Sequence, residues 1–133
     1  MRSMGWAYEF KVRPWNELRG WYAALADDHS DMQYMLRIVE SVENSGCLDA
    51  LAGTTSMHDL MVAVTPVSAP PLDVVAVRAP GSIHAPSTGN VLVEHLAHSG
   101  RNDAIERPQL DAVRLFWRFV IEKLGVLPAE IRP

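Results

Sequence analysis

The chain has 133 residues, of which 48% are hydrophobic and 21% charged, and its net charge is −4. These proportions exclude a largely disordered chain and suit one domain spanning residues 1–133. The acidic balance and the lack of a Lys/Arg run argue against a nucleic-acid partner, because phosphate binding needs a concentrated basic surface.

The cysteine content and the apolar runs limit the class of protein further. Cys47 is the only cysteine, so an internal disulfide or a cysteine metal site is excluded. No apolar run reaches the ~20 residues that span a bilayer, and the N-terminus has no secretory signal pattern. Ten of the twelve basic residues are arginine, which suggests a GC-rich bacterial gene. We therefore expect a cytoplasmic bacterial protein with no cofactor, no metal and no membrane partner.

The N-terminal part predicts one strand and one helix. Residues 6–12 alternate apolar and polar side chains, which is typical of a half-buried strand. Pro14 suits the first turn of a helix, where its missing N–H costs nothing. The apolar stripe of this helix comprises Trp15, Leu18, Trp21, Tyr22 and Leu25.

A second helix is predicted to begin at a capping box, in which Ser30 is the N-cap and Gln33 reaches back to it. Its β-branched residues leave positions 36–43 open to either helix or strand. Asn44-Ser45-Gly46 ends the element. Residues 47–51 predict one short helical turn, ended by Gly53.

Three strands and a helix are predicted in the rest of the chain. The strands are residues 60–65, 73–79 and 91–98, and the segment 99–103 turns the chain out of the last one. The helix follows Pro108 and ends before Gly125. Its predicted buried face is Leu110, Val113, Trp117, Val120, Ile121 and Leu124, which Phe116 and Phe119 widen. We expect an α+β fold with an antiparallel sheet of about four strands and helices packed on one face.

The stretch 91–103 holds the densest set of reactive side chains. Because side chains alternate along a strand, His95 and His98 point to opposite faces, and Glu94 shares the face of His98. A hydrolase or lyase that uses a histidine as general base would draw on Glu94, His95, His98 and Asp103. The alternative is structural: His95 lies at the edge of the core, and the other side chains are solvated at a strand end and turn.

Further candidate binding residues lie outside this stretch. His84 sits in the loop 80–90, and loops often carry function. Arg101 and Arg107 are candidates for clamping an anion, although a structural role for both is the stronger interpretation. The apolar surface around Phe116, Trp117 and Phe119 is a candidate surface for a partner protein or for a second copy of the chain in a homodimer.

Three hypotheses follow for function. The first is a non-enzymatic protein-interaction domain with a regulatory, accessory or immunity-like role. It is favoured by the absence of any G-x-S-x-G, H-E-x-x-H, P-loop or G-x-G-x-x-G motif. The second is the histidine–carboxylate hydrolase or lyase. The third is a small-ligand binder with a cavity between the sheet and the helices.

Overall fold

The computed structural model describes residues 5–129. The helices in this range are α1 (Trp15–Asp28), α2 (Gln33–Glu43) and α3 (Ala112–Phe119), and a π-helical turn (Val120–Leu124) continues α3. The strands are β1 (Leu51–Ser56), β2 (Asp59–Val64), β3 (Val74–Arg78), β4 (Asn90–Leu96) and β5 (Asp103–Pro108). They form one antiparallel sheet in the order β1-β2-β3-β4-β5. The predicted α+β class is confirmed, with five strands where about four were expected.

The sheet is buried on both faces through its central strands. One face, which we call the helix face, carries Leu60, Val62, Val75, Val77, Val91 and Val93 and packs against α1, α2 and α3. The opposite face, which we call the second face, carries Met61, Ala63, Val74 and Ala76, and the N-terminal segment and the loop before β3 pack on it. Burial on both sides explains the nearly continuous apolar runs of β2 and β3.

The predicted strand over residues 6–12 is wrong. This segment makes only single backbone bridges, Trp6 with Leu72 and, just beyond it, Arg13 with Gly53. The alternation in its sequence does not correspond to burial: of the residues that it places on one side, Phe10 packs on the second face, whereas Tyr8 and Val12 are exposed. The two-residue apolar pattern therefore predicted neither a strand nor a buried face for this segment correctly.

The helix predictions for residues 14–46 are largely confirmed. Helix α1 begins directly after Pro14, and positions 36–43 are helical. The capping box is wrong: Ser30 opens a 3-10 turn (Ser30–Met32), and no side-chain capping hydrogen bond is formed at α2. A backbone hydrogen bond takes the place of the side-chain cap, since Met32 N donates to the carbonyl of His29 at 2.9 Å.

Strands β1 and β5 were not predicted. The 3-10 turn Leu48–Ala50 matches the expected helical turn, but the chain then enters β1, and Gly53 lies inside that strand. A Cβ at Gly53 would lie 2.9 Å from the Trp15 ring, so glycine lets α1 pack directly on β1. Strand β5 is the outer edge of the sheet, and its charged side chains conceal the alternation that would reveal it.

The predicted buried face of the last helix is confirmed in part: Phe116, Phe119 and Val120 are in the core, and Val113, Trp117 and Leu124 pack against it, but Leu110 does not. A 3-10 turn (Gln109–Asp111) precedes α3 and leaves Leu110 97% exposed. The buried residues of α3 and its continuation are Ala112, Leu115, Phe116, Phe119 and Val120, a stripe of helical period. Phe116 and Phe119 therefore belong to the core and do not form an exposed apolar surface.

No helix in residues 5–129 has the length and apolar character needed to cross a membrane.

Candidate binding site

A buried network of charges lies on the second face, where β2, β3 and β4 run side by side. Arg78, at the end of β3, donates from Nη1 to Asp59 Oδ2 at 3.0 Å and from Nε to Glu94 Oε1 at 2.8 Å. The side chains of Arg78 and Asp59 are 8% and 7% exposed, and that of Glu94 is 20% exposed. One guanidinium thus joins carboxylates from the strands on both sides of it.

The remaining bonds of the network fix Asp59 completely. Its Oδ1 accepts the backbone N–H of Ala79 at 2.8 Å, and its Oδ2 also accepts the hydroxyl of Ser82 at 2.8 Å. Glu94 accepts from Arg78 through Oε1, and its side chain is the most exposed of the three. The three charges sum to −1, and the excess lies on the most exposed member, Glu94.

Two buried tyrosines support this region from the helix side. Tyr34 donates its hydroxyl to the carbonyl of Arg78 at 2.7 Å, and Tyr22 donates to the carbonyl of His58 at 2.9 Å. Burial, and then the charge of Asp59, raises the pKa of each tyrosine well above its ordinary value. Both hydroxyls therefore remain protonated donors and hold the backbone on either side of the network.

A cavity of about 810 Å³ lies over the network, and we call it the groove. Its walls are residues 5–8 of the N-terminal segment, the β1–β2 turn at 55–58 and the loop at 81–84. Asp59, Arg78, Glu94 and Leu96 form its floor. The volume lies within the range of ligand-binding clefts, ~300–1,000 Å³.

The rim of the groove carries large apolar side chains that contact water. Tyr8, Met57 and Ile83 are 70%, 88% and 93% exposed, and each belongs to a different wall. They are three of the six exposed large hydrophobic residues in the described part of the chain. Isolated exposed apolar residues are ordinary, but three around one cavity indicate a binding surface.

Met57 also has an unusual backbone conformation. It is the first residue of the two-residue turn between β1 and β2, and its φ is +57°. Turns of this kind need a positive φ there, which glycine, asparagine or aspartate adopts more readily. A large apolar side chain is thus placed on the rim at the cost of backbone strain, which is typical of functional positions.

The N-terminal wall is aromatic. The rings of Trp6 and Tyr8 meet edge to face with centroids 5.2 Å apart. The indole Nε1 of Trp6 is buried and has no acceptor within residues 5–129. An aromatic wall beside a carboxylate floor can accommodate an apolar group that ends in a positive charge.

The stretch 91–103 does not bring all four predicted catalytic residues together. Glu94 bonds to Arg78 on the second face, whereas His95 lies on the helix-face side of β4 with its Nε2 3.9 Å from Asp73 Oδ2. That nitrogen is buried without a hydrogen bond among the described residues. Burial lowers the pKa of His95, and the nearby charge of Asp73 opposes this effect.

Asp103 lies opposite His95 in the pairing of β4 with β5, and His98 contacts the loop before β3. The backbone N–H of His98 donates to Asp73 Oδ1, and its ring Nδ1 is 3.2 Å from the carbonyl of Pro71. Asp103 pairs with Lys123 at 3.2 Å, which lowers the pKa of Asp103. Asp73, which was not among the predicted residues, links the two histidines. The catalytic assignment stays a prediction.

The predicted binding residues are dispersed. Phe116 and Phe119 are in the core, and the half-buried Trp117 donates from Nε1 to Ser41 Oγ at 2.9 Å. Arg101 and Arg107 are exposed, and Arg107 donates to the carbonyl of Glu106. Of this set only His84 lines the groove.

Asp59 and Arg78 were missed in the sequence although a signal was present. Arg78 follows four apolar residues of β3 and shares a face with Val74 and Ala76. A lone charge on a buried face needs a partner of opposite sign. Asp59 begins the neighbouring strand, so a search for that partner would have found it.

The part of the chain that the structure describes contains no group of three or more His, Cys, Asp or Glu side chains placed to hold a metal ion. Fold and site together define a small α+β protein with a charged groove on the sheet face away from its helices. No protein-family model matches the chain, and no curated protein or solved structure shows significant similarity to it.

Proposed function

We propose that this chain is a non-enzymatic protein-interaction domain of the bacterial cytoplasm, and that its binding surface is the groove. The observation that carries the proposal is the clustering of Tyr8, Met57 and Ile83 around one cavity. A regulatory, accessory or immunity-like role requires such a surface and no reacting group.

The rim favours a protein over a small molecule as the occupant. A small ligand fills the cavity and leaves the rim exposed, whereas a protein segment also covers the rim. Met57 and Ile83 extend almost entirely into solvent from two different walls. Burying a side chain of this kind contributes roughly 1.5–3 kcal/mol, so both are suited to anchor a partner.

The floor favours binding over catalysis. Asp59 and Arg78 are committed to each other and to neighbouring groups, so neither is poised to exchange a proton. The hydrolase or lyase alternative draws its support from Asp73, which lies against both His95 and His98 on the other side of β4. The two hypotheses share Glu94, but His95, His98 and Asp103 do not line the groove, so variants at these three residues test the enzyme hypothesis separately.

The test is selection of peptides from a random display library against the intact chain, followed by binding measurements with three variants. Met57→Asp and Ile83→Asp each place a charge on the rim. Leu110→Asp makes the same kind of change at an exposed apolar residue outside the groove. Each variant exchanges one exposed side chain, so we expect all three to fold.

We expect the selected peptides to lose at least about tenfold in affinity for the two rim variants and to bind Leu110→Asp normally. Peptides that bind all three variants equally would overturn the proposal. Sedimentation of the free chain tests whether the partner is instead a second copy of the chain. A dimer that Ile83→Asp dissociates would show that the groove binds a second copy and not a different protein.

A further inference from the structure

We infer that the occupant of the groove presents a basic side chain, lysine or arginine, which seats on Glu94 beside the aromatic wall. This inference rests on the proposed function, since it assumes that a protein segment enters the groove. It goes further by assigning the chemistry of that segment and the residue that recognises it.

The floor of the groove has a net negative charge, which favours a basic ligand. Arg78 balances one of the two carboxylates, so one negative charge remains among Asp59, Arg78 and Glu94. The oxygens of Asp59 accept three hydrogen bonds, while Glu94 accepts the bond from Arg78 through Oε1 and its side chain is 20% exposed. Of the two carboxylates, the one able to receive a new donor is therefore Glu94.

The hydrogen bonds that Arg78 already makes to two carboxylates disfavour an acidic ligand. A guanidinium at the base of a cleft ordinarily indicates an anionic ligand. Here Nε and Nη1 are both bonded to carboxylates, and the side chain is 8% exposed. An acidic group entering the groove would meet the excess charge of Glu94 and be repelled. The same guanidinium holds Glu94 in place for a cation.

The aromatic wall of the groove also favours a long basic side chain. Trp6 and Tyr8 line the same cavity as Glu94 and form an edge-to-face pair. Aromatic faces attract ammonium and guanidinium groups, and they also pack against the methylene stem of a long basic side chain. A side chain with an apolar stem and a positive end matches both the wall and the floor.

The experiment is an NMR titration of the full chain with four capped tripeptides that differ only at the central residue: Leu-Lys-Leu, Leu-Arg-Leu, Leu-Met-Leu and Leu-Glu-Leu. Methionine serves as the neutral match for the length of lysine. The amide signals of Met57 and Ile83 and the indole signal of Trp6 report occupancy of the groove. The titration is repeated with Glu94→Gln, which retains an oxygen for Arg78 Nε and removes the charge.

We expect the lysine and arginine peptides to bind about tenfold more tightly than the methionine peptide, and the glutamate peptide to bind most weakly. In Glu94→Gln the ratio of the lysine-peptide affinity to the methionine-peptide affinity should fall to about one, with the affinity of the methionine peptide unchanged. Raising the salt concentration should reduce the same ratio in the unaltered chain. The salt series tests the charge dependence even if Glu94→Gln does not fold.

Equal binding of the lysine and methionine peptides at the groove would overturn this inference and leave the proposed function intact. A lysine preference that survives both Glu94→Gln and high salt would overturn it as well. If none of the peptides shifts the signals of Met57, Ile83 or Trp6, both the inference and the proposed function fail.

Discussion

The two faces of the sheet are buried by different kinds of structure. Helices cover the helix face, and their backbone hydrogen bonds are satisfied internally, so apolar side chains such as Phe116 and Val77 fill the interface. The second face is covered by the N-terminal segment and the loop before β3, where isolated backbone bridges join Trp6 to Leu72 and Arg13 to Gly53. At one end that cover is incomplete, and the floor there holds Asp59, Arg78 and Glu94. The comparison teaches that a looser cover leaves room for a site, whereas helix packing closes the surface.

The largest effect that distinguishes the faces is expected from Phe116→Ala. The ring is fully buried among the helices and the sheet, so its removal should lower the free energy of unfolding by about 3–5 kcal/mol. Leu110→Ala, an exposed site just before α3, should change it by less than about 0.5 kcal/mol. Urea unfolding of both variants measures this. Similar losses would contradict the assignment of the core.

A somewhat smaller effect is expected from Arg78→Met, which leaves two carboxylates on the second face without their cation. Removing one partner of a buried ion pair typically costs about 3 kcal/mol or more. Urea unfolding at pH 7 measures this loss. A loss below about 1 kcal/mol, the range of an exposed ion pair, would contradict a stabilising role for the buried pairs.

Met57→Gly should have opposite effects on stability and on binding. Glycine adopts a φ of +57° without the strain that a side chain imposes, so the free energy of unfolding should rise by up to ~1 kcal/mol. Affinity for groove-selected peptides should fall because the rim side chain is lost. Met57→Ala is the control: it should lose affinity without the gain in stability. A gain in affinity for Met57→Gly would exclude Met57 from the binding surface.

The smallest expected effect is a two-step acid dependence of stability. Burial depresses the pKa of His95 below its ordinary 6.5, so its contribution is complete above that pH and is lost as the pH falls through the folded value. Hydrogen bonds from Lys123 and Asn90 lower the pKa values of Asp103 and Glu106 below 3.8 and 4.5, so their contributions are lost at lower pH. His95→Gln should abolish the upper step alone. An unchanged upper step would assign it to another group.

The α+β class and the strands β2, β3 and β4 could be predicted from the sequence, because their apolar runs follow directly from burial. The exact set of α3 residues that face the core could not be predicted, because the 3-10 turn before Ala112 changes the orientation of the helix about its axis. The groove was missed because it depends on contacts between segments 19 and 16 residues apart, Asp59 with Arg78 and Arg78 with Glu94. Spacing within one segment does not reveal such contacts, whereas the lone charge in β3 did point to them.

The order of the strands has a consequence for how the chain folds. Each strand pairs with its neighbour in sequence, so the sheet assembles through four successive hairpin closures. Connections between consecutive strands cost little loop entropy, and topologies rich in such contacts fold quickly. The helix face requires α1 and α2 from one end of the chain and α3 from the other. We therefore expect the strands that hold Asp59, Arg78 and Glu94 to pair early in folding, with helix docking as the slower event that completes the native state.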